Sequence, residues 1–437
     1  MKITFLGAGS TVFAKNVLGD IILTPEIKDI ELALYDIDPE RMRDTHCMLQ
    51  KIIAFTKRTD VKVISYTERK KALRGADFAV NAIQVGGYEP CTVTDFEIPK
   101  RFGLRQTIGD TLGVGGIFRA LRTYPVMLDF VRDMEEVCPN TLFLNYVNPM
   151  AILTGAIQRC SGIDTVGLCH SVQVCVPMLL QSVGMDSLTE QSKSLIAGIN
   201  HQAWLLKIED GKGNDLYPEI KRRSRSPEYA SSTAHDKVRM EIMKRFGYYN
   251  TESSEHTAEY SPYFIKNSHP ELIERFSIPL DEYPRRCICQ IEEWKEMRAS
   301  LVDSECVEHI KSREYAADII RAIITDNPVR INGNVQNTGL ITNLPYNACV
   351  EVPCMVDRNG VNPCYVGKLP EQLAALNRTN INVQLMTIEA CMTGKRDAVY
   401  QACYLDPHTA SELTMDEIVE MCDELIEKHG NWLPKFV

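Results

Sequence analysis

The sequence predicts an α/β protein: a doubly wound parallel sheet over residues 1–195, followed by a second, mixed α/β substrate domain over 196–437. Three observations predict it. Short apolar runs alternate with helix-period stretches through the first half, the pattern of strands joined by crossover helices. The first run, "KITFL", opens directly into the glycine turn Gly7-Ala8-Gly9-Ser10. A later run, "IELALYDID", delivers an acidic residue, Asp36, at its end. At 437 residues the chain exceeds what one core usually holds, which is why two units are expected.

The glycine turn is followed by a predicted helix from about Val12 to Leu23. Gly7 permits a tight turn, and Gly9 lets the backbone, with Ser10, approach a pyrophosphate at a helix N-terminus. Val12 stands where a third glycine is usual. Asp36 is the acidic group that would hold the adenosine ribose hydroxyls, and its charge repels an added 2′-phosphate, so NAD is favoured over NADP. "ADFAVNAIQVGG" is a further strand ending at Gly86-Gly87, where a close ligand approach is expected. "TLFLNYVNPM" and "DTVGLC" are two more. Together these predict a Rossmann-like sheet whose ligands lie at the strand C-terminal ends. A closing helix is expected near Met415–Lys428, where Ile418, Met421, Cys422, Leu425 and Ile426 recur at helical spacing.

Bulk composition excludes several classes. A net charge of −10 and the lack of a basic run with interleaved aromatics argue against nucleic acid as partner. No apolar run approaches the ~18 residues needed to span a bilayer, so no membrane partner is expected. The chain enters a strand at once, without a signal-like apolar region, and its fifteen cysteines are odd in number and irregularly spaced. Reduced thiols and a cytoplasmic location follow as expectations.

The candidate chemistry clusters at strand ends. Cys169 and His170 sit where "DTVGLC" stops, and His201 lies in or at the end of "GINHQAWLLKIE". Cys169 and His201 are candidate metal ligands of an open site completed by substrate oxygens and water; sulfur and imidazole suit zinc, iron or cobalt, and hard substrate oxygens also admit manganese. Asn148-Pro149 is placed like the Asn-Pro of lactate and malate dehydrogenases, beside nicotinamide and substrate, although such pairs also make plain turns. "GDTLGVGGIFRALR" predicts a glycine-rich loop that closes over the ligands, before a helix carrying Arg119. Tyr260 and Tyr263 are alternative general bases if a nearby cation lowers their pKa. Arg285 is a candidate substrate donor, or simply a surface ion-pair partner.

The blocks "FLGAGS", "LYDID", "GDTLGVGGIFRALR", "NYVNPM", "GLCHSVQ", "GINHQAW", "ESSEHTAEY", "EYPRRC" and "NTGLITNLPYNACVEVPC", in this order and nearly end to end, resemble the NAD- and metal-dependent family 4 glycoside hydrolases. By the triplet Cys169-His170-Ser171 the chain is similar to the melibiase-type α-galactosidases within that family. The resemblance implies Cys169 and His201 as ligands of a divalent metal, commonly Mn2+, and His170 as acid toward the departing oxygen. It implies a tyrosine base at C2, matched best by Tyr260. The implied reaction is NAD-mediated oxidation at sugar C3, deprotonation at C2, elimination, and addition of water, which needs no carboxylate pair. Ser171-Val172 replaces the proline usual in phospho-sugar members, which implies an unphosphorylated α-glycoside. An α-glucosidase or an α-uronidase of the same family is the near alternative, and a 2-hydroxyacid dehydrogenase the alternative from another class. A homodimer or homotetramer is the family expectation.

Overall fold

The computed structural model describes residues 1–437. Twelve strands form one sheet. In chain order they are β1 (Lys2–Leu6), β2 (Ile30–Tyr35), β3 (Val61–Tyr66), β4 (Phe78–Asn81), β5 (Leu142–Asn145), β6 (Thr165–Gly167), β7 (Lys193–Ile199), β8 (Gln202–Glu209), β9 (Tyr249–Asn250), β10 (Val329–Gln336), β11 (Cys349–Asp357) and β12 (Gly360–Pro363). Their spatial order is β3-β2-β1-β4-β5-β6-β10-β11-β7-β8-β9, with β12 beside β11. The first six are parallel and take the order of a dinucleotide-binding sheet. From β6 onward every pairing is antiparallel, so a parallel and an antiparallel half share one continuous sheet.

Burial on both faces explains the apolar character of the parallel strands. Phe5, Val80, Leu144 and Val166 belong to one buried cluster, whereas Leu6, Ala79 and Phe143 belong to another. The strand ends are level, since Leu6 pairs with Tyr35 and with Asn81, Asn81 with Asn145, and Asn145 with Gly167. The row continues through Asn334, Glu351 and Gly198 into the antiparallel half. Gly7, Asp36 and Cys169 all lie just beyond it.

The helix after the glycine turn spans Val12–Leu23, as expected. Gly7 has φ 89°, and a Cβ there would stand 2.7 Å from the Ala82 carbonyl, so glycine is required by both conformation and space. The expected glycine-rich loop is different: Gly113, Gly115 and Gly116 form the first turn of a helix, Gly113–Val137. A Cβ on Gly115 would meet the Gly109 carbonyl at 2.3 Å, so these glycines let the helix pack against the 109–111 segment. The closing helix runs Met415–His429, opened by a capping box between Thr414 and Glu417. No helix is long and apolar enough to cross a membrane, and all fifteen cysteines are free thiols.

Candidate active site

Cys169 follows β6 by two residues, and His201 occupies the tight β7–β8 turn, where its backbone is left-handed at φ 62°. The two side chains meet: Cys169 Sγ lies 3.4 Å from His201 Nε2. Glu252, also left-handed at φ 68°, brings a carboxylate oxygen to 3.7 Å from the same nitrogen. The three donor atoms lie within 4.8 Å of one another. Glu252 is the ligand-type residue that sequence reasoning missed.

The far side of His201 is held in place. Its Nδ1 stands 3.2 Å from Thr111 Oγ1 and 3.3 Å from the Tyr260 hydroxyl. Thr111 donates to Asp110 Oδ1 at 2.7 Å, which leaves its oxygen free to accept an Nδ1–H and leaves Nε2 as the open lone pair. Asp110 also accepts from Asn148 Nδ2 at 3.1 Å. Arg119 donates to the Asn148 carbonyl and to the Tyr283 hydroxyl, at 3.2 and 3.1 Å. Glu259 fastens the segment before Asp110 by accepting from the backbone N–H groups of Thr107, Ile108 and Gly109.

Electrostatics follow from burial. Burial pushes the Cys169 thiol well above its usual range, and the Glu252 and Glu351 carboxylates add to the shift. Burial lowers His201 to about 4, so the imidazole is neutral, the form that ligates metals. For Asp110 burial opposes ionisation, but the His256 hydrogen bond and the Arg119 charge outweigh it and hold the carboxyl well below the usual range. Burial raises Tyr260 well above its ordinary value, and neighbouring carboxylates raise it further.

These features fit a cation. A buried thiol beside carboxylates ionises only with a compensating positive charge, and the same charge would bring the Tyr260 phenol down. Both buried oxygens of Glu351 add polar groups without protein partners. The sulfur, nitrogen and oxygen donors suit a borderline transition-metal ion.

A dinucleotide also fits. Asp36 Oδ2 accepts from Gly9 N at 2.6 Å and Oδ1 from Asp38 N at 2.8 Å, so the carboxylate fixes the glycine turn and keeps lone pairs for a diol. The Ser10 hydroxyl is buried without a partner at the start of the helix. Gly86, at φ 80°, lies against Cys91, with which a Cβ would collide at 2.2 Å.

Other predicted residues are placed as follows. His170, next to Cys169, projects from the rim with its side chain 59% exposed, and its Nδ1 stands 3.7 Å from Glu314 Oε1. Tyr260 is buried in the site, whereas Tyr263 is 49% exposed and packs on Phe246 and Phe264. Arg285 does not reach the site: on the surface helix Glu282–Arg298 it is bound to Glu282 Oε2 at 2.7 Å and to the Leu280 carbonyl. The expectation of Arg285 as a substrate donor is corrected, because Glu282, one turn earlier, captures both Arg285 and Arg286. The same helix sends Tyr283 inward to Arg119 instead.

The chain is similar to known proteins along its length. Residues 2–185 match the family model "Family 4 glycosyl hydrolase", and residues 196–409 match the "Family 4 glycosyl hydrolase C-terminal domain". The chain is 58% identical over 435 residues to an α-galactosidase of Bacillus subtilis (strain 168), covering 100% of this chain and 99% of the relative. A 6-phospho-α-glucosidase from gut microorganisms, solved in complex with NAD and Mn2+, has a similar structure at TM-score 0.80 and 21% identity, covering 100% of this chain and 99% of that one. The malate dehydrogenase of Plasmodium falciparum shares the fold at TM-score 0.54 and 12% identity, over 91% of this chain and 99% of its own.

Proposed function

The chain belongs to the family 4 glycosyl hydrolases, and from that premise we propose that it cleaves terminal, unphosphorylated α-galactosides with NAD and a divalent metal, Mn2+, as cofactors. The observation that carries the chemistry is the buried cluster of Cys169, His201 and Glu252 with the Tyr260 hydroxyl on the far side of the same imidazole. The substrate class is supported by the 58% identity to an α-galactosidase.

Residues 1–195 supply the dinucleotide site, through Gly7, Gly9, Ser10 and Asp36 at the level strand ends. Residues 196–437 supply most of the substrate and metal site, with Cys169 and Asn148 contributed from the first part. Cys169, His201 and Glu252 would hold the metal. When bound, NAD would supply a hydride acceptor for sugar C3 and the metal a Lewis acid that makes the C2 hydrogen more acidic.

Tyr260 Oη takes the C2 proton. His170 gives a proton to the glycosidic oxygen as the C1–O bond breaks, so the bond electrons leave with a neutral alcohol. Asn148, held by Asp110 and by Arg119 through its carbonyl, presents an amide to the sugar hydroxyls. Arg119 is held by the Asn148 carbonyl and the Tyr283 hydroxyl, and Arg285 and Arg286 are paired with Glu282, which does not favour a uronic carboxylate on the substrate.

The test is hydrolysis of p-nitrophenyl α-galactoside with NAD and Mn2+ each added or omitted, under reducing conditions. Cleavage that needs both, without net NADH, is expected. Turnover of the α-glucoside or α-galacturonide in its place would change the substrate and keep the mechanism. NADH accumulating with a 2-hydroxyacid would overturn the reading.

A further inference from the structure

We propose that Glu314 is the positioning residue of His170: its carboxylate accepts the Nδ1–H of that imidazole and so turns Nε2 toward the departing glycosidic oxygen. The proposal rests on the reading of His170 as the acid.

His170 has no hydrogen-bond partner of its own, and at 59% exposure its ring is free to rotate and to exchange tautomers. An acid so loosely held would meet the leaving oxygen in the productive orientation only part of the time, and orientation is a large share of what a positioned acid contributes. Glu314 supplies what is missing. Its side chain is only 13% exposed, and Oε1 lies 3.7 Å from His170 Nδ1. Its other oxygen, Oε2, is buried without any partner. A small rotation of the exposed ring closes the 3.7 Å gap, and the backbone that carries the carboxylate is pinned on both sides.

The fixing is visible on both sides of Glu314. Two residues before it, Ser312 donates its backbone N–H and its hydroxyl to the buried carboxylate of Asp20. His309, itself fully buried, joins the same carboxylate through Nε2 at 2.8 Å. Gly19 makes room for that imidazole, since a Cβ there would stand 2.7 Å from the ring. Two residues after Glu314, Ala316 N donates to the Tyr146 hydroxyl at 3.2 Å. The segment 309–316 is thus pinned to the first helix and to the loop after β5. Burial pushes the Glu314 carboxyl above its ordinary range, and the His170 charge opposes that shift. Glu314 precedes the helix Ala316–Thr325, where a carboxylate also favours the helix end. The experiment therefore separates acid positioning from helix support.

Wild type, Glu314→Gln, Glu314→Asp and His170→Gln, all with NAD and Mn2+ supplied, are compared on melibiose and on 2,4-dinitrophenyl α-galactoside, whose leaving group departs without an acid. Unreacted melibiose recovered from D2O is assayed for deuterium at C2. Glu314→Gln is expected to lower kcat on melibiose roughly 10- to 100-fold, part of the ~10²–10⁴ an acid contributes. It should change KM little, stay within about threefold on the dinitrophenyl substrate, and let deuterium build up in recovered melibiose, because C2 is still deprotonated while departure is slowed. His170→Gln should show the same pattern more strongly, and Glu314→Asp a weaker version that carries the test if Glu314→Gln does not fold. Equal losses on both substrates without deuterium in recovered melibiose, or wild-type behaviour, would overturn the role of Glu314 while His170→Gln keeps its pattern. Absence of the pattern in His170→Gln would overturn the acid itself.

Discussion

The two walls of the site are built in opposite ways. The inner wall, of Cys169, His201, Glu252, Asp110 and Tyr260, is buried and cross-bonded, and His201 alone has donors or acceptors facing both ring nitrogens. The rim is a single exposed histidine with one carboxylate behind it. Under the proposed mechanism the difference is a division of labour between base and acid. Proton abstraction from carbon needs a dry, charge-poised base, since C–H acidity is weak and depends on a fixed neighbouring charge. Protonating an oxygen at a mouth through which varied leaving alcohols must pass tolerates solvent and requires room.

The comparison breaks first at the metal. Cys169→Ser removes the proposed soft ligand from the inner wall, and kcat/KM should fall roughly 10³-fold or more, the several kcal/mol that a Lewis acid contributes. Mn2+ dependence should vanish with it, whereas NAD binding, measured by calorimetry, should survive because Gly7, Gly9 and Asp36 follow other strands, β1 and β2. Lost NAD binding would show that the inner wall holds up the sheet rather than the ion.

Tyr260→Phe probes the same wall with a smaller change. Activity should fall on the order of 10²- to 10³-fold, and exchange of the C2 proton with D2O should stop. Tyr263→Phe should leave both untouched, because that ring is 49% exposed and packs on Phe246 and Phe264. Exchange lost in Tyr263→Phe and kept in Tyr260→Phe would reverse the assignment.

How much of this was legible in the sequence differs between the walls for a physical reason. Five of the six parallel strands, all but β3, the helix Val12–Leu23 and the place of Cys169 at a strand end follow from periodicity and from turn glycines, which are local signals. Glu252 was not legible, because acidic residues are common and nothing local marks the left-handed backbone that turns this one inward. Gly113, Gly115 and Gly116 read as a loop because glycine weakens helices; the reason for keeping them, contact with Gly109 and Thr111, is tertiary. The Arg285 error was avoidable. Glu282 stands three and four residues before Arg285 and Arg286, the spacing of helical ion pairs.

Behind the inner wall lies Glu351, fully buried in β11 with both oxygens unpartnered. Burial, reinforced by Glu252, pushes its carboxyl up to about 8 from 4.5. The folded protein therefore holds a proton that the unfolded chain releases between those values. Stability from this group is complete below pH ~4.5 and is lost as pH rises through about 8, at up to ~1.4 kcal/mol per pH unit. In metal-free protein Tm should decline over that window, and Glu351→Gln should flatten the decline. A decline unchanged in Glu351→Gln would place the proton elsewhere.

The smallest effect sharpens the contrast between inward and outward positions on one helix. Arg285→Ala removes a side chain that is 53% exposed and bound only to Glu282 and a backbone carbonyl. Exposed pairs of this kind contribute ~0–1 kcal/mol, so Tm and kcat/KM should stay close to wild type. Tyr283, two residues earlier, points the other way, and its hydroxyl oxygen accepts from the Arg119 guanidinium. Tyr283→Phe should therefore raise KM several-fold by loosening Arg119 and the Asn148 carbonyl it holds. A larger loss in Arg285→Ala than in Tyr283→Phe would mean that the helix Glu282–Arg298 turns its other face to the substrate, and a uronic acid would then have its cation.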